Sequence, residues 1–119
     1  KNLRSIINEE EVKNFLISEG FKIVKLADLH FNDQVLAFNS ADIIVGLHGA
    51  GFANLPFCKS NTKVVELKAN PLDTVIESLA IKNNLIHKSV SCDLDEIKRY
   101  NQFGHIKVPI EELNKILKI

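Results

Sequence analysis

The sequence predicts an α/β fold, a Rossmann-like three-layer sandwich in which a mostly parallel sheet lies between helices. Two observations carry this prediction. Short apolar and β-branched runs alternate with segments of helical period, and the run over residues 42–46 is apolar enough to form a strand buried on both faces. Residues 62–67 repeat that character. Strands that alternate with helices are joined by right-handed crossovers, which place the helices against the sheet.

Two helices are predicted in the first third of the chain. One begins near Asn8, carries its apolar residues on one face, and ends at Gly20. The other is capped by Asn32, and Phe31 packs on Leu36 across its first turn as a hydrophobic staple. The β-branched run between the two helices is predicted to be the first strand of the sheet.

Strand and helix continue to alternate as far as residue 90. The predicted strands, all parallel and in one sheet, are residues 21–26, 42–46, 62–67 and 85–90. Asn70 and Pro71 cap and open a third helix, whose apolar stripe begins at Leu72. A helical turn is predicted through Leu94, and Pro109 opens the last helix.

Length and composition indicate one domain over residues 1–119 and exclude several classes of partner. The chain has 45% hydrophobic and 25% charged residues, which suits a single core. Fifteen basic and fifteen acidic residues balance, so the basic surface of a nucleic-acid-binding protein is missing. No run approaches the roughly 18 apolar residues of a transmembrane segment. Cys58 and Cys92 lack the spacing of a zinc site, and no metal is expected.

The candidate binding site is the glycine-rich stretch GLHGAGFAN, residues 46–54, between a predicted strand and the start of a helix. In open α/β sheets, ligands bind beyond the carboxyl ends of the strands, and unpaired N–H groups at a helix start attract phosphate. The glycine spacing is neither the dinucleotide fingerprint nor a Walker loop. The candidate phosphate-binding residues are Gly46, His48, Gly49, Ala50, Gly51 and Asn54.

Each candidate also has a structural explanation. The glycines could serve only a tight turn, His48 could cap that turn instead of acting on a phosphate or as acid or base, and Asn54 could bond the loop backbone. Glu66 lies where a carboxylate can accept hydrogen bonds from a ribose diol, or it could be a solvated strand end. A phosphate loop with a ribose acid predicts a nucleotide ligand. The other histidines, predicted to be structural or solvated, are His30, His87 and His105.

The order of these motifs resembles glycosyltransferase family 61, the capsular-polysaccharide type of transferase. The resemblance covers about residues 4–68 and rests on Arg4, NEEEV at 8–12, GFKIVKL at 20–26, FNDQVLAFNSADIIVGLHGAGFANLPF at 31–57 and VVEL at 64–67. Phe52 stands where the family often has leucine. The resemblance implies a GT-B architecture of two Rossmann-like domains, and this chain is similar to the carboxyl-terminal, donor-binding one.

The resemblance also implies an activity. The protein would be an inverting glycosyltransferase that moves a sugar from a nucleotide sugar to a glycan or lipid-linked acceptor in capsular or other surface polysaccharide biosynthesis, with no cofactor and no obligatory metal. Loop N–H groups, His48 and Arg4 would hold the diphosphate, and Glu66 the ribose. His48 is the candidate catalytic residue, and the general base is unassigned. The alternatives are a non-catalytic nucleotide- or sugar-phosphate-binding module and a flavodoxin-like interaction domain.

The amino-terminal acceptor domain of that architecture is missing from the sequence. The chain is therefore expected to be a fragment of a longer two-domain enzyme, able to bind donor weakly but unable to transfer sugar alone. The implied location is the cytoplasm, at the inner face of a bacterial membrane, or the lumen of the Golgi or ER if the source is eukaryotic.

Overall fold

A three-stranded parallel sheet forms the centre of the protein, whose structure is a computed structural model that describes residues 6–47, 50–69, 72–94 and 106–119. Its strands are β1 (Ile43–Leu47), β2 (Lys63–Lys68) and β3 (Ile86–Ser91), in the order β1-β2-β3. Both pairs are parallel, which confirms three of the four predicted strands. The register pairs Gly46 with Glu66 and Glu66 with Ser89, so these residues form one row across the sheet.

Helices flank this sheet throughout the described residues. They are α1 (Glu9–Ser18), the 3₁₀ helix η1 (Leu26–Asp28), α2 (Phe31–Ser40), the 3₁₀ helix η2 (Ala50–Phe57), α3 (Val75–Lys82) and α4 (Ile110–Leu117). A separate antiparallel pair consists of β4 (Asp93–Leu94) and β5 (Ile106–Lys107). Leu94 therefore lies in a short strand, and the helical turn predicted there is wrong. The last helix follows Pro109 as predicted.

Alternate side chains of β2 point to opposite faces of the sheet and help to build two cores. On one face, Val65 and Leu67 pack with the buried residues of α1 and α4, which are Val12, Leu16 and Leu113. On the other face, Val64 packs with α2, η2 and α3 through Phe38, Phe52, Leu55, Ile76 and Ala80. Helices thus cover both faces of the sheet, as the alternation of strands and helices predicts.

The strand predicted at residues 21–26 is wrong. Residues 21–25 have no regular secondary structure and pair with no other described strand, and η1 follows them. Phe21 packs against a core, whereas Ile23 and Val24 are each 41% exposed. The β propensity of a run reflects how well it packs on a pleated, half-buried surface, and this run lacks a neighbouring strand within the described residues. The described sheet therefore has three strands instead of four.

The start of α2 also differs from the prediction. The helix begins at Phe31 with His30 as its N-cap residue, so Asn32 lies inside the helix and does not cap it. Phe31 contacts Phe57 edge to face, with ring centroids 5.7 Å apart, and Leu36 is 63% exposed. A hydrophobic staple needs its first residue before the N-cap, whereas Phe31 follows it.

The third helix begins later than predicted, at Val75. The side chain of Asp73 accepts a hydrogen bond of 3.1 Å from the Val75 N–H, which favours a helix start at this point. Leu72 precedes the helix and is 87% exposed, so it is not part of the buried apolar stripe. The predicted cap, Asn70 and Pro71, lies outside the described residues.

Candidate functional site

The glycine-rich stretch lies at the carboxyl edge of the parallel sheet, where the sequence predicts a binding site. Gly46 is the fourth of the five residues of β1, and η2 begins at Ala50. The chain therefore passes from a strand into a helix within a few residues, and this helix is of the 3₁₀ type. His48 and Gly49, which connect the two elements, lie outside the described residues, as do Arg4 and the side chain of Ala50.

Two of the predicted site glycines have packing partners within the protein. A Cβ atom at Gly46 would lie 3.0 Å from Cζ of Phe52, a buried residue of η2. A Cβ atom at Gly51 would lie 3.3 Å from Cδ1 of Leu26. Among the described glycines, positive φ is found at Gly20 and at neither of these two. Close packing of η2 on β1 and on η1 therefore accounts for both missing side chains.

Asn54 connects η2 to α2 through a side-chain hydrogen bond. Its Nδ2 donates to Oε1 of Gln34 over 3.1 Å. Nε2 of Gln34 in turn donates to the carbonyl oxygens of Leu26 and Leu29, over 2.9 and 3.3 Å. These two amides hold η1, α2 and η2 together. The predicted bond from Asn54 to the loop backbone is thus replaced by a bond to a neighbouring helix.

Glu66 lies beside Gly46 in the sheet and is completely buried. Its Oε1 is 2.8 Å from Nε2 of His87 on β3 and 3.9 Å from Nζ of Lys68. Lys68 also donates to the carbonyl oxygen of Asp73 over 2.6 Å. The interpretation of Glu66 as a solvated strand end is therefore wrong, because its carboxylate is held inside the protein by a histidine and a lysine.

Glu66, His87 and Lys68 form a buried polar group that we call the Glu66 cluster. Their side chains are 0%, 7% and 10% exposed. Burying an ion costs several kcal/mol unless partners compensate it, and well-packed apolar residues often fill such positions with equal or greater stability. Stability alone therefore gives little reason for this cluster. Glu66 and Lys68 lie in the carboxyl-terminal half of β2, towards the edge at which ligands of α/β folds bind, whereas His87 is the second residue of β3 and pairs with Val64.

An open depression of about 310 Å³ borders the Glu66 cluster along β3. Its polar lining includes His87, Lys68 and Glu77, with the serines of β3, Ser89 and Ser91. The volume lies at the lower end of the range for small-molecule sites. Glu66 has no exposed surface. A ligand in the depression would therefore meet His87 and Lys68, while the carboxylate of Glu66 stays behind them.

Of the three members of this cluster, the sequence pattern singles out Glu66 alone and misses His87 and Lys68. A lone histidine in an apolar run is usually structural, yet a signal was present. Glu66 is an ionisable residue in a run that is otherwise apolar enough to be a buried strand, and His87 lies in the strand predicted after it. Whether two such residues meet depends on the order and register of the strands, and the structure places these strands side by side.

The described residues contain neither a metal-binding group nor a membrane-spanning helix. No group of three histidine, cysteine, aspartate or glutamate side chains in these ranges is arranged to hold a metal ion. The helices there are too short or too polar to cross a bilayer. Cys58 and Cys92 form no disulfide, and burial raises the pKa of the Cys58 thiol.

A family model and a known protein each match somewhat more than half of the chain. A family model described as Glycosyltransferase 61 matches residues 1–65, which include β1 and η2 and end one residue before Glu66. The EGF domain-specific O-linked N-acetylglucosamine transferase of Gallus gallus is 35% identical over 69 residues, a match that covers 54% of this chain. The chain spans 13% of the length of that relative. No solved structure gives a significant match.

Proposed function

We propose, from the premise that this chain belongs to glycosyltransferase family 61, that it forms the nucleotide-sugar-binding part of a glycosyltransferase. The observation that carries the proposal is the position of the family's matched segment. That segment contains β1 and η2 and therefore the glycine-rich stretch at the carboxyl edge of a parallel sheet. Ligands of α/β folds bind at this edge, and the first backbone N–H groups of a helix favour an anion.

The donor's diphosphate is proposed to lie against the stretch from Gly46 to Asn54, with its ribose towards the Glu66 cluster. Backbone N–H groups there, His48 and Arg4 would supply the hydrogen bonds to the phosphate oxygens. Gly49 would let the backbone approach the phosphates closely, and Ala50 and Gly51 would present the backbone N–H groups of the start of η2. Burial of Phe52 on Gly46 supports this arrangement, because it fixes η2 against the end of the strand.

The proposed reaction is a single displacement at the anomeric carbon of the donor sugar. The oxygen of an acceptor hydroxyl forms a bond to that carbon while the bond to the diphosphate oxygen breaks, which inverts the configuration. The hydroxyl proton passes to a general base, and the diphosphate leaves with the bonding electrons. His48 and the backbone N–H groups would stabilise the charge that develops on this leaving group.

The acceptor is proposed to be a hydroxyl group on a glycan or on a protein. The name of the chicken relative describes an O-linked transfer to EGF domains, whereas the capsular type of family member implies a polysaccharide acceptor. A protein acceptor of that kind would place the reaction in the lumen of the secretory pathway. An acceptor panel that contains both an EGF domain and oligosaccharides separates these two possibilities.

Nucleotide binding tests the proposal directly. Calorimetric titration with UDP, GDP, CDP and the matching nucleosides should show tighter binding of one diphosphate than of its nucleoside. His48→Ala should weaken that diphosphate by roughly 10- to 100-fold, as expected for a hydrogen bond to a charged group, and leave the nucleoside almost unchanged. His30→Ala is the matched control, because His30 is exposed and caps α2 without a side-chain hydrogen bond.

The outcomes separate three interpretations of the site. Diphosphate binding together with sugar transfer by the whole protein supports the proposal. Binding without transfer to any acceptor of the panel would favour a non-catalytic binding module. If none of the three diphosphates binds, the donor site is not at this edge of the sheet and the proposal is wrong.

A further inference from the structure

Lys68 is the last residue of β2, the central strand of the sheet. The register of β1 on β2 ends with Leu47 beside Leu67, so Lys68 lies one residue beyond the last pair of these two strands. The three strands end at Leu47, Lys68 and Ser91, and Lys68 is the charged residue among these. A cation therefore ends the central strand, beside the end of β1.

The side chain of Lys68 belongs to the face of the sheet that η2 covers. Side chains alternate along a strand, so Lys68 shares its face with Val64, which packs in one core with Phe52 of η2. A Cβ atom at Gly46 would meet the same ring. Neighbouring strands are about 4.8 Å apart. The flexible stem of a lysine is long enough to cross that spacing, so its ammonium can reach a phosphate between the end of β1 and the start of η2.

The ammonium of Lys68 has hydrogen-bonding capacity that the described residues do not use. It carries three N–H donors. One donates to the carbonyl oxygen of Asp73 over 2.6 Å, whereas Oε1 of Glu66, at 3.9 Å, is beyond hydrogen-bond distance. Within the described ranges no other acceptor contacts this group. The side chain is 90% buried, yet donors remain for a ligand oxygen.

The charge of Lys68 is only partly balanced by the protein. Glu66, its partner at 3.9 Å, is shared with Nε2 of His87, which is closer at 2.8 Å. A largely buried ammonium attracts an anion more strongly than an exposed one, because its surroundings screen the charge less. Glu77 lines the depression and repels an anion there. An anion is therefore favoured at the carboxyl edge, towards η2, over a place in the depression.

We propose that Lys68 donates a hydrogen bond to a phosphate oxygen of the nucleotide-sugar donor. This inference rests on the proposed function and extends it, because it adds a side chain of β2 to the contacts of the diphosphate. The position of Lys68 at the end of the central strand and its unused donors carry the assignment. A lysine suits this role, since it binds phosphate as a point charge.

Lys68→Gln is the variant for the test, because it removes the positive charge and keeps a side chain that can donate a hydrogen bond. Lys88→Gln is the matched control. Lys88 lines the same depression, but it lies in the middle of β3 and pairs with Val65, so its side chain belongs to the opposite face of the sheet. Thermal unfolding of each variant shows whether the fold is retained.

The test is calorimetric titration of these variants with UDP, GDP, CDP and the matching nucleosides. Folded Lys68→Gln should bind the preferred diphosphate roughly 10- to 100-fold more weakly than the wild type, as expected for the loss of a hydrogen bond to a charged group. Its affinity for the nucleoside should not change. Lys88→Gln should alter the affinity for the diphosphate by less than about twofold.

Lysine side-chain NMR of the wild type gives a second measurement, which decides the question even if Lys68→Gln does not fold. The diphosphate should shift the signals of Cε and Nζ of Lys68, the nucleoside should not, and the signals of Lys88 should stay in place. Diphosphate binding that leaves the Lys68 signals unmoved would overturn the inference and leave the proposed function intact. Equal diphosphate affinity of folded Lys68→Gln and the wild type would do the same. If none of the three diphosphates binds the wild type, the proposed function fails and this inference with it.

Discussion

The ring of Phe52 occupies the space that a side chain at Gly46 would need, since a Cβ atom there would lie 3.0 Å from Cζ of the ring. Gly46 is thus a packing partner for the first turn of η2. This contact fixes the 3₁₀ helix against the end of β1. The proposed donor site is accordingly built beside a helix whose position is set by the core.

Gly46→Ala is expected to destabilise the protein by about 1–3 kcal/mol, the usual cost of overpacking a core. The added methyl group would force the buried Phe52 ring away from β1. Gly51→Ala is the matched control and should cost less, because its Cβ would meet only Cδ1 of Leu26, the end of a flexible side chain, at 3.3 Å. Urea denaturation of the two variants measures the difference. Equal costs would show that the Phe52 ring adapts freely.

The sequence pattern predicts the parts of the fold that depend on local periodicity. β1, β2 and β3 form where apolar runs predict buried strands, and helices cover both faces of the sheet. The sequence pattern does not predict secondary structure that depends on a neighbouring strand. The run at 21–26 has strand propensity but no strand beside it among the described residues, so it forms no strand, and Ile23 and Val24 stay partly exposed.

In the candidate site, too, the sequence predicts what depends on local pattern and not what depends on neighbouring strands. The stretch from Gly46 to Asn54 could be placed at the carboxyl edge of the sheet, because a glycine-rich turn after a buried strand has a defined position in α/β folds. The contacts of Glu66 could not be predicted, since they depend on strand order and register. His87 is 21 residues away in sequence and becomes a direct partner because β2 and β3 are adjacent.

Asn54→Ala is expected to lower the free energy of unfolding by about 0.5–1.5 kcal/mol, because it removes the bond to Gln34 that connects η2 with α2. Asn39→Ala is the control, since the bond from Asn39 to the carbonyl oxygen of Phe57 is exposed and should contribute less. Hydrogen exchange of the η2 amides should be faster in Asn54→Ala than in the control. Identical exchange in both variants would contradict a role for Asn54 in holding η2.

Cys58 is expected to react slowly with iodoacetamide in the folded protein. Burial raises the pKa of its thiol, so less of the reactive thiolate is present at pH 8 than for an unfolded cysteine. A thiol pKa that is higher in the folded state also means that stability falls as the pH rises through this range. Mass spectrometry of a Cys92→Ser variant isolates Cys58. Labelling at the same rate with and without denaturant would disprove the expected protection.

The final prediction concerns why Glu66 and His87 are paired inside the protein. Glu66→Ala should cost about 2–4 kcal/mol of stability, because it leaves the Nε2–H of His87 without its partner.

The double variant Glu66→Leu, His87→Leu replaces both polar groups by apolar ones. Its stability should be close to that of the wild type or higher, since Lys68 keeps its bond to the carbonyl oxygen of Asp73. Because the donor's ribose is proposed to lie towards the Glu66 cluster, this double variant should nevertheless lose the preference for ribose over dideoxyribose nucleotides that we expect of the wild type. Denaturation and nucleotide titration of the same samples measure both quantities. A double variant that is as unstable as Glu66→Ala would mean that the pair serves the fold, whereas a stable one without the ribose preference means that the protein retains the pair for its ligand.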